Sequence, residues 1–508
     1  MVLARVSSVA VLGIHAFHVE VEVDLQEGLP LFSTVGLPDV AVKESRDRVR
    51  AAIINSGFPF PDERVTVNLA PADLRKEGSG YDLAIAVALL TVGGHLPAPS
   101  GSDLLFLGEL SLDGRLKGVR GALPAALAAR ERGCRGLILP AANAGEASLV
   151  RGINVFPAGT LAEVAAHLRG EGVLTAADAG EEVAPHGSDD LDYAEVSGQE
   201  GAKRAIEIAA AGGHNLLMVG PPGAGKTMLA RRLPSILPPL GFDEALETAQ
   251  IYSVAGLLRK DRPLTRGRPF RAPHHTVSYA GMTGGGPSPR PGEISLAHNG
   301  VLFLDELPEF PRRVIESLRQ PLEDGEVTIA RARMTLTYPA NFMLVGAMNP
   351  CKCGWLGHPT RECRCTPHQI QQYRGRISGP LLDRIDIQLE VPALEYGELM
   401  GEEAGEASAV IRARVERVRH LQQRRFGEKR TTCNAGMSAG QVREHCRLDR
   451  ESDNLLKSAV EKLGLSARGI TRVLKMARTI ADLEGAEAIH HEHVAEAVQY
   501  RSLDRGVP

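Results

Sequence analysis

The amino-acid sequence predicts an α/β protein whose centre is a mostly parallel sheet with helices on both faces, followed by a helical C-terminal region. Three observations carry this expectation. Between residues 190 and 395 helical and strand-like runs alternate: a helix over 202–211, a strand over 215–219, a glycine loop, a helix over 228–236, a strand over 301–304, a helix over 312–322 and a strand over 342–347. Residues 405–505 carry helical periodicity alone, with arginine-rich faces over 410–425, 450–463, 469–483 and 491–500. Residues 1 to about 170 mix strand alternation, as at Val19, Val21 and Val23 or Val65, Val67 and Leu69, with apolar helical stretches over 81–92 and 123–132.

A chain of 508 residues suits about three domains, and its 43% hydrophobic share supplies a core for each. The boundaries expected are an α/β domain at 1–170, an acidic linker at 171–190, a nucleotide-binding core at 191–395 and a helical lid at 396–508. Residues 178–200 hold eight acids and no Lys or Arg, and their first half cannot bury enough apolar surface to fold alone. The formal charge of −4 excludes a uniformly basic nucleic-acid coat, so a charged partner has to meet a local patch. No apolar run reaches the roughly 18 residues of a membrane span, and His15 and His18 interrupt the opening apolar stretch. A cytoplasmic enzyme without a membrane partner is expected.

The strongest signal is Gly220-Pro221-Pro222-Gly223-Ala224-Gly225-Lys226-Thr227, between an apolar strand and a helix that opens on Met228. In that context glycines let backbone amides converge on phosphates at a helix N-terminus, Lys226 reaches the terminal phosphates, and the Thr227 hydroxyl binds Mg²⁺. Val301-Leu302-Phe303-Leu304-Asp305-Glu306 reads as a buried strand ending in two carboxylates. Asp305 suits a Mg²⁺ ligand through water, and Glu306 a base for the attacking water. A third strand ends at Asn349, whose amide could contact the γ-phosphate or the water. Arg384 lies on a short apolar segment, where it either enters a neighbouring subunit's site or pairs locally with Asp383 or Asp386.

With these elements in order the chain resembles the AAA+ ATPases, more narrowly their magnesium-chelatase-like branch, and within it the ComM/YifB family. Further carriers are Val196-Ser197-Gly198-Gln199-Glu200, Phe270-Arg271-Ala272-Pro273-His274-His275-Thr276, Pro291-Gly292-Glu293-Ile294-Ser295 and Ala477-Arg478-Thr479-Ile480-Ala481-Asp482-Leu483. The resemblance implies a P-loop core with ATP and Mg²⁺. It makes Asn349 sensor 1, Arg384 a trans-acting arginine finger, and Arg468 the sensor 2 arginine of the lid, with Arg472 as fallback. Val196 to Gln199 would line the adenine pocket. It implies a hexameric ring that hydrolyses ATP to move single-stranded or branched DNA, in the manner of a branch-migration helicase of natural transformation and recombination. Residues 1–170 resemble the protease domain of Lon on Glu77-Gly78-Ser79-Gly80-Tyr81-Asp82 and Gly118-Val119-Arg120-Gly121. The positions matching its Ser–Lys dyad are Gly80 and Ala125, with Ser79 and Lys117 displaced, so a non-catalytic domain is expected.

A DNA motor needs cations facing its pore. Residues 259–290 carry a net charge of +6, with Arg271, His274 and His275 among them, and residues 326–337 alternate like a hairpin with Arg331 and Arg333 on one face. In this branch both inserts resemble pore loops; solvated surface charge is the plainer alternative. Four of the seven cysteines form two CxC pairs, Cys351 with Cys353 and Cys363 with Cys365. Four thiolates suit structural zinc although the usual spacing is longer, with His358 and His368 as substitute ligands and reduced thiols as the alternative. Competing functions are the ATPase subunit of a metal chelatase and a protein-remodelling AAA+ module.

Overall fold

The computed structural model describes residues 2–97, 103–178, 191–259, 263–286, 289–331, 334–393, 405–427 and 431–501. The first unit is built on β1 (Val2–Leu12), β2 (His15–Gln26), β3 (Leu31–Val35), β4 (Arg64–Ala70) and β5 (Leu104–Phe106). A small hairpin of β6 (Glu109–Leu110) and β7 (Leu116–Lys117) precedes β8 (Gly136–Pro140) and β9 (Asn154–Ala158). The seven-stranded sheet runs β3-β4-β2-β1-β5-β8-β9. Alternation in β2 and β4 buries Val19, Val21, Val23, Val65, Val67 and Leu69 in one core with helices Val40–Asn55 and Asp82–Val92. Nearly all of Asp82–Val92 is buried, which accounts for a helix that is apolar all round. Its Asp82 is fixed by Arg48 at 2.7 and 3.0 Å.

After the helix Leu161–Arg169 the chain stays on this unit. Leu174 packs on its core, and the Ala177 amide donates to the Val155 carbonyl at 2.8 Å. The start of the expected linker is therefore attached to β9, while residues 179–190 lie outside the described residues.

The second sheet is five-stranded. In chain order come β10 (Leu216–Val219), β11 (Phe270–Arg271), a short pair β12 (Gly284–Gly285) and β13 (Arg290–Pro291), β14 (Val301–Leu304), the hairpin β15 (Glu326–Arg331) and β16 (Met334–Pro339), β17 (Met343–Met348) and β18 (Ile387–Glu390). The sheet order is β11-β14-β17-β10-β18, every pair parallel. Every residue of β10, β14 and β17 is buried, as expected when helices cover both faces. Asn215, at the entry to β10, fastens three strands. Its Nδ2 donates to the Arg384 carbonyl at 3.0 Å, its Oδ1 accepts from the Leu344 amide at 2.8 Å, and its own amide donates to Asp386 Oδ2 at 2.9 Å.

The single helix expected over 312–322 is two, Arg312–Ser317 and Pro321–Asp324. Pro321 brings no amide hydrogen and its ring would strike the preceding turn, so a second helix starts on it. Beyond β18 the described elements are mainly helical, with Ser408–Phe426, Arg450–Leu463, Ala467–Glu484 and His491–Gln499 sharing one apolar cluster with helices Glu200–Gly212 and Lys226–Ile236. The first unit meets the second in a separate cluster: Val9, Leu105 and Leu123 pack with Leu240, Ala245 and Ala249, and Ser253 Oγ donates to Glu146 at 2.6 Å.

Lid and sheet are tied by charge. Arg472 lies 2.6 Å from Asp386, which is fully buried, and His214 lies 3.6 Å from the other carboxylate oxygen. Asp386 is held far below the usual carboxylate range: burial alone would raise it, but Arg472, His214 and the Asn215 amide outweigh that cost. Replacing Arg472 with Ala leaves a buried carboxylate short of its cation and should cost about 3–5 kcal/mol in denaturant unfolding. A cost below about 1 kcal/mol, the range of exposed pairs, would mean that this contact does not tie lid to sheet.

Candidate functional site

The loop from Gly220 to Gly225 joins the C-terminal end of β10 to the helix Lys226–Ile236. Gly225 holds φ at +82° and Gly223 at +81°, a region open to glycine, which lets the loop wrap inward beneath the helix N-terminus. Lys226 folds back across the loop, donating to the carbonyls of Gly220 (2.7 Å) and Pro221 (2.9 Å) and reaching Asn349 Oδ1 at 3.4 Å. Burial pushes its ammonium down against the pull of Asp305 and Glu306. Thr227 Oγ1 donates to Asp305 Oδ2 at 2.6 Å, so the two groups expected at Mg²⁺ already meet. Because β17 lies between β10 and β14, Asn349 stands between the lysine and the carboxylates.

Glu306 is 57% exposed with φ at +51°, and its amide donates to Asp305 Oδ1 at 2.9 Å. Its carboxylate is accessible to an attacking water. His275 Nδ1, expected at DNA, lies 3.6 Å from Glu306 Oε2. Parallel pairing of Phe270 with Val301 brings the segment after β11 alongside the end of β14, but β11 has only two residues and leaves little strand signal. Val196 is buried in the apolar cluster of the P-loop helix, Met228 packs against that cluster, and Gln199 Nε2 donates to the Pro392 carbonyl at 3.3 Å.

The two arginines expected as finger and sensor 2 are both held in ion pairs. Arg384 does not pair with Asp383 or Asp386; its side chain is 6% exposed and reaches Glu323 Oε2 at 2.6 Å and the Pro380 carbonyl at 2.6 Å. Arg468, on the first turn of the lid helix Ala467–Glu484, is 60% exposed and lies 3.4 Å from the other oxygen of Glu323. Glu323 thus gathers both. Arg472, the fallback, is spent on Asp386.

The four cysteines converge despite their short spacing. Cys351 Sγ is 3.4 Å from Cys353 and 3.6 Å from Cys363, Cys353 is 3.6 Å from Cys363, and all four sulfurs lie within 4.8 Å of one another. A tetrahedral zinc with Zn–S near 2.3 Å needs sulfurs about 3.8 Å apart, so the set fits such an ion. His358 and His368 both lie outside the metal-capable group, and the His358 Nδ1 accepts from the Thr360 and Arg361 amides at 3.2 Å.

Three family profiles match successive parts of the chain: subunit ChlI of Mg-chelatase over residues 21–143, magnesium chelatase subunit ChlI over 192–399, and the C-terminal region of magnesium chelatase subunit ChlI over 405–501. The chain is 47% identical over 506 residues to the uncharacterized protein YifB of Salmonella typhimurium and 47% identical over 512 residues to the competence protein ComM of Haemophilus influenzae. Both alignments span 99% of this chain and 98% of the relative. The chain belongs to the ComM/YifB family. Its nucleotide core is a magnesium-chelatase-like AAA+ domain. The 38 kDa magnesium-chelatase subunit of Rhodobacter capsulatus is 26% identical over 178 residues, 31% of this chain and 50% of that protein.

Of the cations expected at DNA in this family member, Arg271 is committed otherwise: Glu293 holds it in a two-pronged pair at 2.7 and 2.8 Å, a link between β11 and the helix Glu293–Leu296. His274 is exposed, its Nδ1 2.9 Å from Thr276 Oγ1, and its ring lies 4.0 Å from that of His275. Arg331 is opposite Met334 at the tip of the hairpin, and Arg333 lies outside the described residues. In the first unit Ser79 Oγ donates to Glu109, so an acid stands where a Ser–Lys dyad would place an amine. Among the described residues no helix is long and apolar enough to cross a membrane.

This geometry separates binding from turnover. Lys226→Ala should abolish binding of a fluorescent ATP analogue, whereas Glu306→Gln should retain binding and lose turnover by about 10²-fold or more. A Glu306→Gln protein with full turnover would remove the carboxylate from the role of base.

Proposed function

We propose that this chain is an ATP-dependent DNA motor of the branch-migration helicase type, working as a homo-hexameric ring in the cytoplasm and serving natural transformation and homologous recombination. The supporting observation is the gathering of Lys226, Thr227, Asp305, Glu306 and Asn349 at the ends of adjacent parallel strands, in a chain alike over its full length to a competence protein. ATP supplies the anhydride whose cleavage drives the motor, and Mg²⁺ the charge that neutralises its phosphates. The P-loop amides and Lys226 would bind those phosphates, the Thr227 hydroxyl and, through water, Asp305 would hold the cation, Glu306 would take a proton from the attacking water, and Asn349 would orient it. Val196 and Gln199 border the adenine.

Arg384 acts in the neighbouring subunit's site, which requires its pair with Glu323 to open on assembly; Arg468, which shares Glu323, takes the sensor 2 role. His274, His275, Arg331 and Arg333 belong to the DNA-facing inserts, and the first unit is a Lon-like collar without proteolysis. Zinc at the four cysteines is structural, because four protein ligands leave no open position. A second reading, the ATPase subunit of a metal chelatase, is favoured by the family profiles; the chelatase subunit's alignment to only 31% of this chain favours the motor.

ATP turnover should rise with branched DNA, and the stimulation should fall steeply with salt as phosphate contacts are screened. DNA that neither binds at low salt nor changes turnover would end the motor reading. Arg384→Ala rings should regain turnover when mixed with Glu306→Gln subunits, since a mixed interface then pairs an intact base with an intact finger. Absence of such rescue would place Arg384 in its own subunit's structure alone.

A further inference from the structure

We propose that the four-cysteine metal site is a brace for the nucleotide site, so that metal occupancy and nucleotide affinity are thermodynamically linked. This rests on the reading of the P-loop as an ATP site. The chain joins the two directly: β17 ends at Met348, Asn349 reaches Lys226, and Cys351 follows two residues later, fully buried. A turn closed by the Gly354 amide on the Cys351 carbonyl at 3.0 Å then lays the knuckle on the P-loop. A Cβ on Gly354 would stand 2.7 Å from Pro222 Cδ and 4.0 Å from Asn349 Cγ, so only glycine permits this approach. On the outer side Arg374 Nε donates to the Pro350 carbonyl at 3.1 Å.

The contact is narrow and therefore dependent on the shape of the turn. In a turn lined by four free thiols only weak sulfur contacts at 3.6 Å hold Cys351 and Cys353 to Cys363; an ion bound by all four fixes that shape. With it fixed, Gly354 limits how far Pro222 can move outward and Asn349 stays beside Lys226. The knuckle also carries the only tryptophan in the chain, Trp355, under the Arg361 guanidinium at 4.3 Å and edge-on to His358 at 5.1 Å. Its emission reports the state of the turn.

The test uses the full chain with zinc, a chelator and a fluorescent ATP analogue. Zinc quantification should give about one ion per chain. Chelation should weaken nucleotide binding about tenfold or more and shift the Trp355 emission, and nucleotide should raise zinc affinity by the same factor, as linkage requires. Gly354→Ala should keep the zinc but lose a similar factor in nucleotide affinity, because the added methyl pushes on Pro222. Gly357→Ala is the control: it strains a left-handed residue of the same turn, φ +76°, with nothing within 4 Å of the new methyl, and should bind nucleotide as the parent does. The proposal is overturned if the protein takes up no zinc, if metal removal leaves nucleotide affinity unchanged, or if Gly354→Ala binds nucleotide like Gly357→Ala. A parent protein that binds zinc but no nucleotide would instead overturn the ATP-site reading itself.

Discussion

The anchoring of Asn215 sets the position of almost everything at the nucleotide site. Its carboxamide and amide bond to the chain before β18 and to β17, so β10 cannot slide against either neighbour without breaking several buried hydrogen bonds. Each is worth only about 1 kcal/mol net, but a buried group left unpaired costs more than the bond returned, which makes the register all-or-none. Strand register fixes the far ends of the strands as well. Lys226, Asn349 and Asp305 are brought together because the register is fixed, with Val219 level with Met348 across one seam and Leu304 level with Gly346 across the other.

Much of this was legible in the sequence because it is local. A strand, a glycine loop and a helix within twenty residues leave their pattern in the order of residues, and the buried strands around Val301 and Met343 announce themselves by composition. The helices of the lid were equally plain from their periodicity. Contacts between distant segments left no such mark. Nothing near Glu323 indicates that it receives both Arg384 and Arg468, and an arginine such as Arg271 reads as an available cation until Glu293 is seen beside it. Pro321 carries the sign of a break, but the apolar spacing continues through it and reads as one helix.

Buried charge performs a different task from apolar packing in this chain. Asp482 is met by Arg425 at 2.6 Å, by Arg478 at 2.9 Å and by Asn434 at 2.9 Å, and Asp386 by Arg472 and His214. Such pairs return little net stability over a well-packed apolar substitute, since desolvation absorbs most of the attraction. They are intolerant of misplacement, however. A lid helix rotated by one residue would strand these carboxylates in an apolar interior, so the network selects one docking of the lid among several that the apolar cluster alone would accept.

The helix Phe242–Ala255 has a consequence for how the chain can be divided. Ala245 and Ala249 fill the core of the first unit together with Val9, Leu105 and Leu123, and Ser253 binds Glu146. Cutting at the acidic stretch would therefore not release two finished proteins. Each fragment would carry a raw apolar surface that belonged to the other, inviting aggregation or recapture of the missing partner. In architectural terms the N-terminal unit is a wall of the motor core, and any lineage that discarded it would have had to resurface that helix at the same time.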